Sequence, residues 1–90
     1  MFEIKYSNKV KKDIKLAQKR GLNIELFKNV VLILEENGIL PTEFKQHKLK
    51  GKYNGLWECH IQPDWLLIWE QKDEIRLISL IRTGSHSDLF

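Results

Sequence analysis

The chain has 90 residues, 42% hydrophobic and 30% charged, with 15 basic and 12 acidic side chains and a formal net charge of +3. Such a length supports one modest core and a single domain spanning residues 1–90, and the composition excludes a disordered chain. Apolar runs such as Val30 to Leu34 fall far short of the roughly 20 residues that cross a bilayer, and no charged start leads into an apolar signal segment. The expectation is a cytoplasmic protein with no membrane partner.

Phe2 to Tyr6 alternates apolar and polar residues and predicts a short strand with Phe2, Ile4 and Tyr6 on one side. Ser7 or Asn8 can cap the helix that follows, in which Val10, Ile14 and Ala17 recur at helical spacing and Gly21 supplies the stop. A second helix is predicted from Asn23, with Leu22 and Phe27 placed as a hydrophobic staple, and it ends at Asn37-Gly38 before Pro41. Its body from Leu26 to Leu34 is apolar over most of its circumference, which predicts deeper burial. Residues 41–55 form one long basic connection carrying His47, Gly51 and Gly55. Three strands are then predicted, Leu56 to Ile61, Trp65 to Glu70 and Ile75 to Arg82, with separators short enough for hairpins. The result is an α+β domain of order β-α-α-β-β-β: a small twisted antiparallel sheet with two N-terminal helices on one face.

Charge is unevenly spread. Residues 1–20 carry seven basic side chains against Glu3 and Asp13, and residues 41–55 carry four against Glu43. Lys9, Lys11, Lys12 and Lys15 on the first helix, and Lys48, Lys50 and Lys52 in the connection, are the candidates for contact with nucleic-acid phosphates; a solvated helix face is the plainer reading of the same charges. Cys59 is the only cysteine. It excludes an internal disulfide and, lying in a strand-like run, reads as a small buried hydrophobe rather than a nucleophile.

The residues able to carry protons cluster around Pro63. Alternation along Leu56 to Ile61 puts Trp57, Cys59 and Ile61 toward the core and Glu58 and His60 on the other face, with Asp64 just past the turn. In an antiparallel meander Arg82 can lie beside the middle strand near Trp65, which brings His86 into the same neighbourhood. His47, His60, Asp64, Arg82 and His86 therefore form a plausible site. Each has a plainer reading as well: Asp64 as a turn residue, Arg82 as the partner of an acidic side chain, the histidines as structural or exposed. Three histidines and a carboxylate are zinc-ligand chemistry, yet no close pairing of the His-Glu-x-x-His or Cys-x-x-Cys kind is present, and the expectation is no metal and no cofactor.

The motifs His47-x-Leu49-x-Gly51-x-x-x-Gly55, Glu58-x-His60-x-x-Pro63-Asp64-Trp65-Leu66-Leu67-Ile68 and Arg82-Thr83-Gly84-Ser85-His86-Ser87-Asp88-Leu89-Phe90 resemble the YafQ branch of the RelE/ParE toxin superfamily. The helix around Lys12 to Arg20 is similar too. Trp57-Glu58 in place of Arg-Asp, Ser85 for threonine and Trp69 for tyrosine are departures that remove no proton carrier. The resemblance implies a RelE-like fold and a toxin of a type II toxin–antitoxin system, an endoribonuclease (mRNA interferase) that cuts messenger RNA on the ribosome without metal and is neutralised by a cognate antitoxin protein. It places the catalytic groups on His47, His60, Asp64 and His86 and further contacts on Arg82 and Phe90. Metal-free cleavage needs a base for the 2′-hydroxyl, a donor for the phosphorane and an acid for the leaving 5′-oxygen. His86 is assigned as acid, Asp64 or His47 as base, and His60 with Arg82 as stabilisers, with exchange of acid and base between His47 and His86 the alternative. Glu58 is a further substrate contact, and Phe90 or Trp65 is expected to stack on a splayed base. A ParE-like toxin that binds gyrase, and an RNA-binding module without cleavage, are the rival expectations.

Overall fold

The computed structural model describes residues 1–90. Its elements run β1 (Glu3–Tyr6), α1 (Asn8–Lys19), α2 (Ile24–Asn37), β2 (His47–Lys48), β3 (Trp57–Gln62), β4 (Trp65–Lys72), β5 (Leu77–Gly84) and α3 (His86–Leu89), with short 3₁₀ turns at Thr42–Phe44, Gly51–Tyr53 and Asp73–Ile75. No helix is long and apolar enough to cross a membrane.

Local chemistry sets the helix ends. Ser7 Oγ accepts from Val10 N at 2.9 Å and starts α1, and Asn23 Oδ1 accepts from Glu25 N at 3.0 Å and starts α2. Gly38 closes α2 in the left-handed region at φ 70°. A Cβ there would lie 2.5 Å from the Phe2 ring, so the position requires glycine on both counts.

The sheet has five strands in the order β1-β5-β4-β3-β2. The expected meander of β3, β4 and β5 is present and antiparallel. Two expectations need correction. The first strand joins β5 in parallel, pairing Glu3 with Leu77 through Tyr6 with Leu80; two helices separate it from the meander, and only a tight hairpin forces neighbours antiparallel. The connection 41–55 is not all loop, since His47 and Lys48 pair with Glu58 and Trp57 as an edge strand. Two residues are too few to show alternation.

The helices cover one face. Val10 and Ala17 of α1 and Phe27, Val30, Val31 and Leu34 of α2 pack with Cys59, Ile61, Trp65, Leu67, Trp69, Ile78 and Leu80 of the sheet. Burial pushes the Cys59 thiol up to about 12, so it stays protonated and inert at neutral pH. The opposite face carries a smaller apolar cluster of Tyr53, Leu66, Ile68 and Leu89. These side chains form the floor on which polar groups are held.

Trp65 belongs wholly to the helix side. It is 2% exposed and stacks on Phe27 at 6.4 Å, and its Nε1 donates to Thr83 Oγ1 at 2.9 Å. It therefore has no surface for a splayed base, a correction to the expected contact. Thr83 Oγ1 in turn donates to the Leu66 carbonyl at 2.6 Å. Thr83→Val keeps the shape but strands the indole N–H in the core. Urea unfolding of that variant is expected to show a loss of about 1–3 kcal/mol.

Candidate active site

Strand register assembles the first half of the site. His47 pairs with Glu58, Glu58 with Ile68 and Ile68 with Arg82, so one rung crosses β2, β3, β4 and β5. Residues directly opposite in a ladder project from the same face, and this is the face away from α1 and α2. Arg82 reaches it through a β-bulge: Ile68 pairs with Arg82 but Trp69 pairs with Leu80, leaving Ile81 as the extra residue. Unbroken alternation from Ile78 and Leu80 would turn Arg82 into the helix-side core. The bulge turns it onto the site face and gives the core position to Thr83. Arg82 thus lies opposite Ile68, not beside Trp65 as the expected meander placed it.

Glu58 is 5% exposed, against the expectation of a substrate contact pointing freely away from the core. Its Oε1 lies 3.2 Å from His47 Nε2 and 3.8 Å from His60 Nε2, and its Oε2 has no partner. The first distance is within hydrogen-bond reach and the second is not. His47 Nδ1 lies 2.7 Å from the Lys45 carbonyl, which can only accept. His47 Nδ1 is therefore the donor to that carbonyl, and Nε2 is the ring nitrogen turned toward the Glu58 carboxyl. The two histidine rings stand 6.4 Å apart.

The second half of the site is α3. Its four residues are held by a capping box, with Ser85 Oγ accepting from Asp88 N at 3.2 Å and Asp88 Oδ2 accepting from Ser85 N at 2.8 Å. Arg20, just past the end of α1, donates to both Asp88 oxygens at 2.6 and 3.2 Å, and this guanidinium, with the Ser85 N–H, holds the Asp88 carboxyl well below the usual carboxylate range. Asp64 Oδ1 accepts from the main-chain N–H of His86 at 2.9 Å. His86 stacks on Phe90 at 4.9 Å, Phe90 meets Tyr53 edge-on at 5.3 Å, and Tyr53 Oη donates to the Leu89 carbonyl at 3.0 Å. Phe90 remains 51% exposed and is the aromatic left to meet a base.

The Pro63-Asp64 turn joins the two halves. The Pro63 carbonyl lies 3.3 Å from His60 Nδ1 while Asp64 anchors His86. The expected set therefore gathers as His47, Glu58 and His60 on one side and Asp64, His86 and Phe90 on the other. Arg82 shares the rung of the first group and donates to Asp13 of α1 from Nε at 2.7 Å and Nη2 at 3.2 Å. Lys9, Lys11, Lys12 and Lys15 are exposed on α1, and Lys48, Lys50 and Lys52 are exposed around β2. Since α1 packs on β5 and β2 is the far edge strand, these form two separate basic surfaces.

Tyr53, Asp13 and the Arg20–Asp88 pair were not marked by sequence patterning. The α3 cap was readable, because Ser85-His86-Ser87-Asp88 has the spacing of a capping box. Asp13 and Arg20 sit among lysines in and just past α1, where nothing local distinguishes a side chain with a tertiary partner from a solvated charge.

The sequence model for the family described as "Bacterial toxin of type II toxin-antitoxin system, YafQ" matches residues 2–90. The chain belongs to the YafQ toxin family. The mRNA interferase toxin YafQ of Escherichia coli strain K12 is 39% identical over 89 residues, 98% of this chain and 95% of that protein. YafQ in the crystal structure of the E. coli DinJ–YafQ toxin–antitoxin complex superposes with a TM-score of 0.89 at 39% identity, covering 99% of this chain and 97% of that one. A metal-bound toxin from Helicobacter pylori superposes with a TM-score of 0.89 at 39% identity over the whole of both chains.

Proposed function

We propose that this YafQ-family toxin is an endoribonuclease that cuts messenger RNA on the ribosome by proton transfer between its own side chains, without a metal. The observation that carries this reading is the rung His47–Glu58–Ile68–Arg82, which puts a histidine–carboxylate pair and an anchored cation on the face away from α1 and α2, with His60 beside Glu58. His47, neutral with its proton on Nδ1, takes the proton from the 2′-hydroxyl on Nε2 as the oxygen attacks the adjacent phosphorus, and the Glu58 carboxylate beside it balances the charge the ring gains. Arg82 and His60 face the charge that gathers on the phosphorane oxygens. His86, carried by α3, gives its proton to the departing 5′-oxygen, so that a 2′,3′-cyclic phosphate and a 5′-hydroxyl remain. Asp64 serves mainly as the anchor of His86, because one of its oxygens is held by the His86 main chain. Phe90 stacks on a splayed base, and the two lysine surfaces bind ribosomal RNA phosphates in a salt-sensitive manner. The protein acts in the cytoplasm, and a cognate antitoxin protein restrains it, as DinJ pairs with YafQ in E. coli.

The test is to induce the chain in cells with and without a candidate antitoxin and to map the 5′ ends of messages. In-frame cuts at particular codons are expected. Intact messages with altered DNA supercoiling would favour gyrase binding, and RNA bound without new ends would favour a non-cleaving module. Toxin treated with a chelator and desalted before addition to magnesium-containing ribosomes is expected to cleave at an unchanged rate. A loss restored by zinc or copper would overturn the metal-free reading.

A further inference from the structure

We propose that Asp13 of α1 is the positioning residue for Arg82, an inference that rests on the ribonuclease reading above and adds to it a residue outside the site face. The reason lies in how β5 is paired. Strand β1 accompanies β5 only as far as Tyr6 opposite Leu80, and beyond that point β5 would be a bare edge. The start of α1 takes over: Ser7 N donates to the Leu80 carbonyl at 3.0 Å, Ser7 Oγ donates to the Ile81 carbonyl at 2.9 Å, and Asp13 Oδ2 accepts from Thr83 N at 3.1 Å. The same carboxylate receives Arg82 Nε and Nη2, so it holds two consecutive residues just past the bulge.

This arrangement is more selective than an exposed ion pair. The Asp13 and Arg82 side chains are only 13% and 23% exposed. A two-pronged contact fixes the plane of the guanidinium, whereas a single contact leaves it free to turn. With Nε and Nη2 committed to Asp13, the edge bearing Nη1 is the one left for a phosphate. The bulge chooses the face on which Arg82 emerges, and Asp13 chooses the direction in which its free edge looks. A rate that depends on orientation falls when this second choice is lost, even though the charge of Arg82 remains.

Single-turnover cleavage on programmed ribosomes tests this by separating the rate at saturation from the concentration giving half saturation. Asp13→Asn keeps an acceptor for Thr83 N but loses the charge. It is expected to slow cleavage at saturation about tenfold with half saturation unchanged, and Asp13→Glu to recover part of the loss. Ser7→Ala loosens the same junction of α1 and β5 without touching Arg82, and is expected to cleave at the normal rate. In an Arg82→Ala background, Asp13→Asn is expected to have no further effect. Should Asp13→Asn fail to fold, Arg82→Lys, which cannot make the two-pronged contact, is expected to show the same slowing. Normal cleavage by folded Asp13→Asn, an undiminished effect in the Arg82→Ala background, or equal slowing by Ser7→Ala would overturn the inference and leave the ribonuclease reading intact. Absence of cleavage by the unaltered chain, with His86→Ala as the inactive reference, would overturn both.

Discussion

His86→Ala is expected to abolish messenger cleavage on translating ribosomes, with a loss of about 10²–10⁴-fold, while the protein stays folded. The magnitude is that of a positioned general acid acting on a poor leaving group. The separation of activity from stability follows from how α3 is held. It is tied down through the Ser85 and Asp88 cap, Arg20, the main-chain N–H of His86 on Asp64, and Tyr53 Oη on Leu89. None of these uses the His86 imidazole, whose own part in the packing is its stack on Phe90. Urea unfolding of the variant should therefore stay within about 0.5 kcal/mol of the parent. A folded variant that still cuts messages at the normal rate would remove His86 from the mechanism. Asp64→Ala is the companion experiment. It frees the main chain of residue 86 while keeping the imidazole, so a loss approaching that of His86→Ala would mean that placement matters as much as the proton.

The helices and the meander were legible because each was written in local chemistry. Ser7 and Asn23 cap where capping residues stood, Gly38 stops α2 where a left-handed residue was needed, and Cys59 and Ile61 fall on the core face that alternation gave them. The parallel pairing of β1 was not legible. It depends on where the chain returns after two helices, and no residue of Phe2 to Tyr6 encodes that. Nor was the short β2, which exists because β3 offers an edge.

At the site, chemistry was more legible than geometry. His47, His60, Asp64 and His86 were marked by residue type and by resemblance. The bulge at Ile81 was invisible, because Ile78-Ser79-Leu80-Ile81-Arg82 reads the same with or without an extra residue in the ladder. Trp65 shows the converse error: an aromatic beside a candidate aspartate invited a contact with a base, yet the period of two carries Trp65, Leu67 and Trp69 together into the helix-side core. Glu58 was placed on the correct face, but its burial was missed. Tyr53, Leu66, Ile68 and Leu89 make that face partly apolar, and a face cannot be judged open from one strand alone.

That burial sets up the second large effect, a change with opposite signs in activity and stability. Glu58→Leu is expected to lower cleavage by about 10²-fold or more, through loss of the carboxylate that balances the charge His47 gains as it takes the proton. The same change is expected to raise stability by about 0.5–2 kcal/mol. The parent keeps a carboxyl group almost out of water with one oxygen unpartnered, a costly state that the two histidines beside its other oxygen offset only in part. Leucine fits beside Ile68 and leaves no buried polar atom. His47 loses a partner, but its side chain is 47% exposed and turns to solvent without being stranded. A carboxylate kept for structure behaves otherwise, because breaking a well-paired buried ion pair costs about 3–5 kcal/mol. Urea unfolding and single-turnover cleavage measured on the same preparation decide between the two. A less stable but active variant would make Glu58 a strut, whereas a more stable and inactive one identifies a charge that folding tolerates because cleavage needs it.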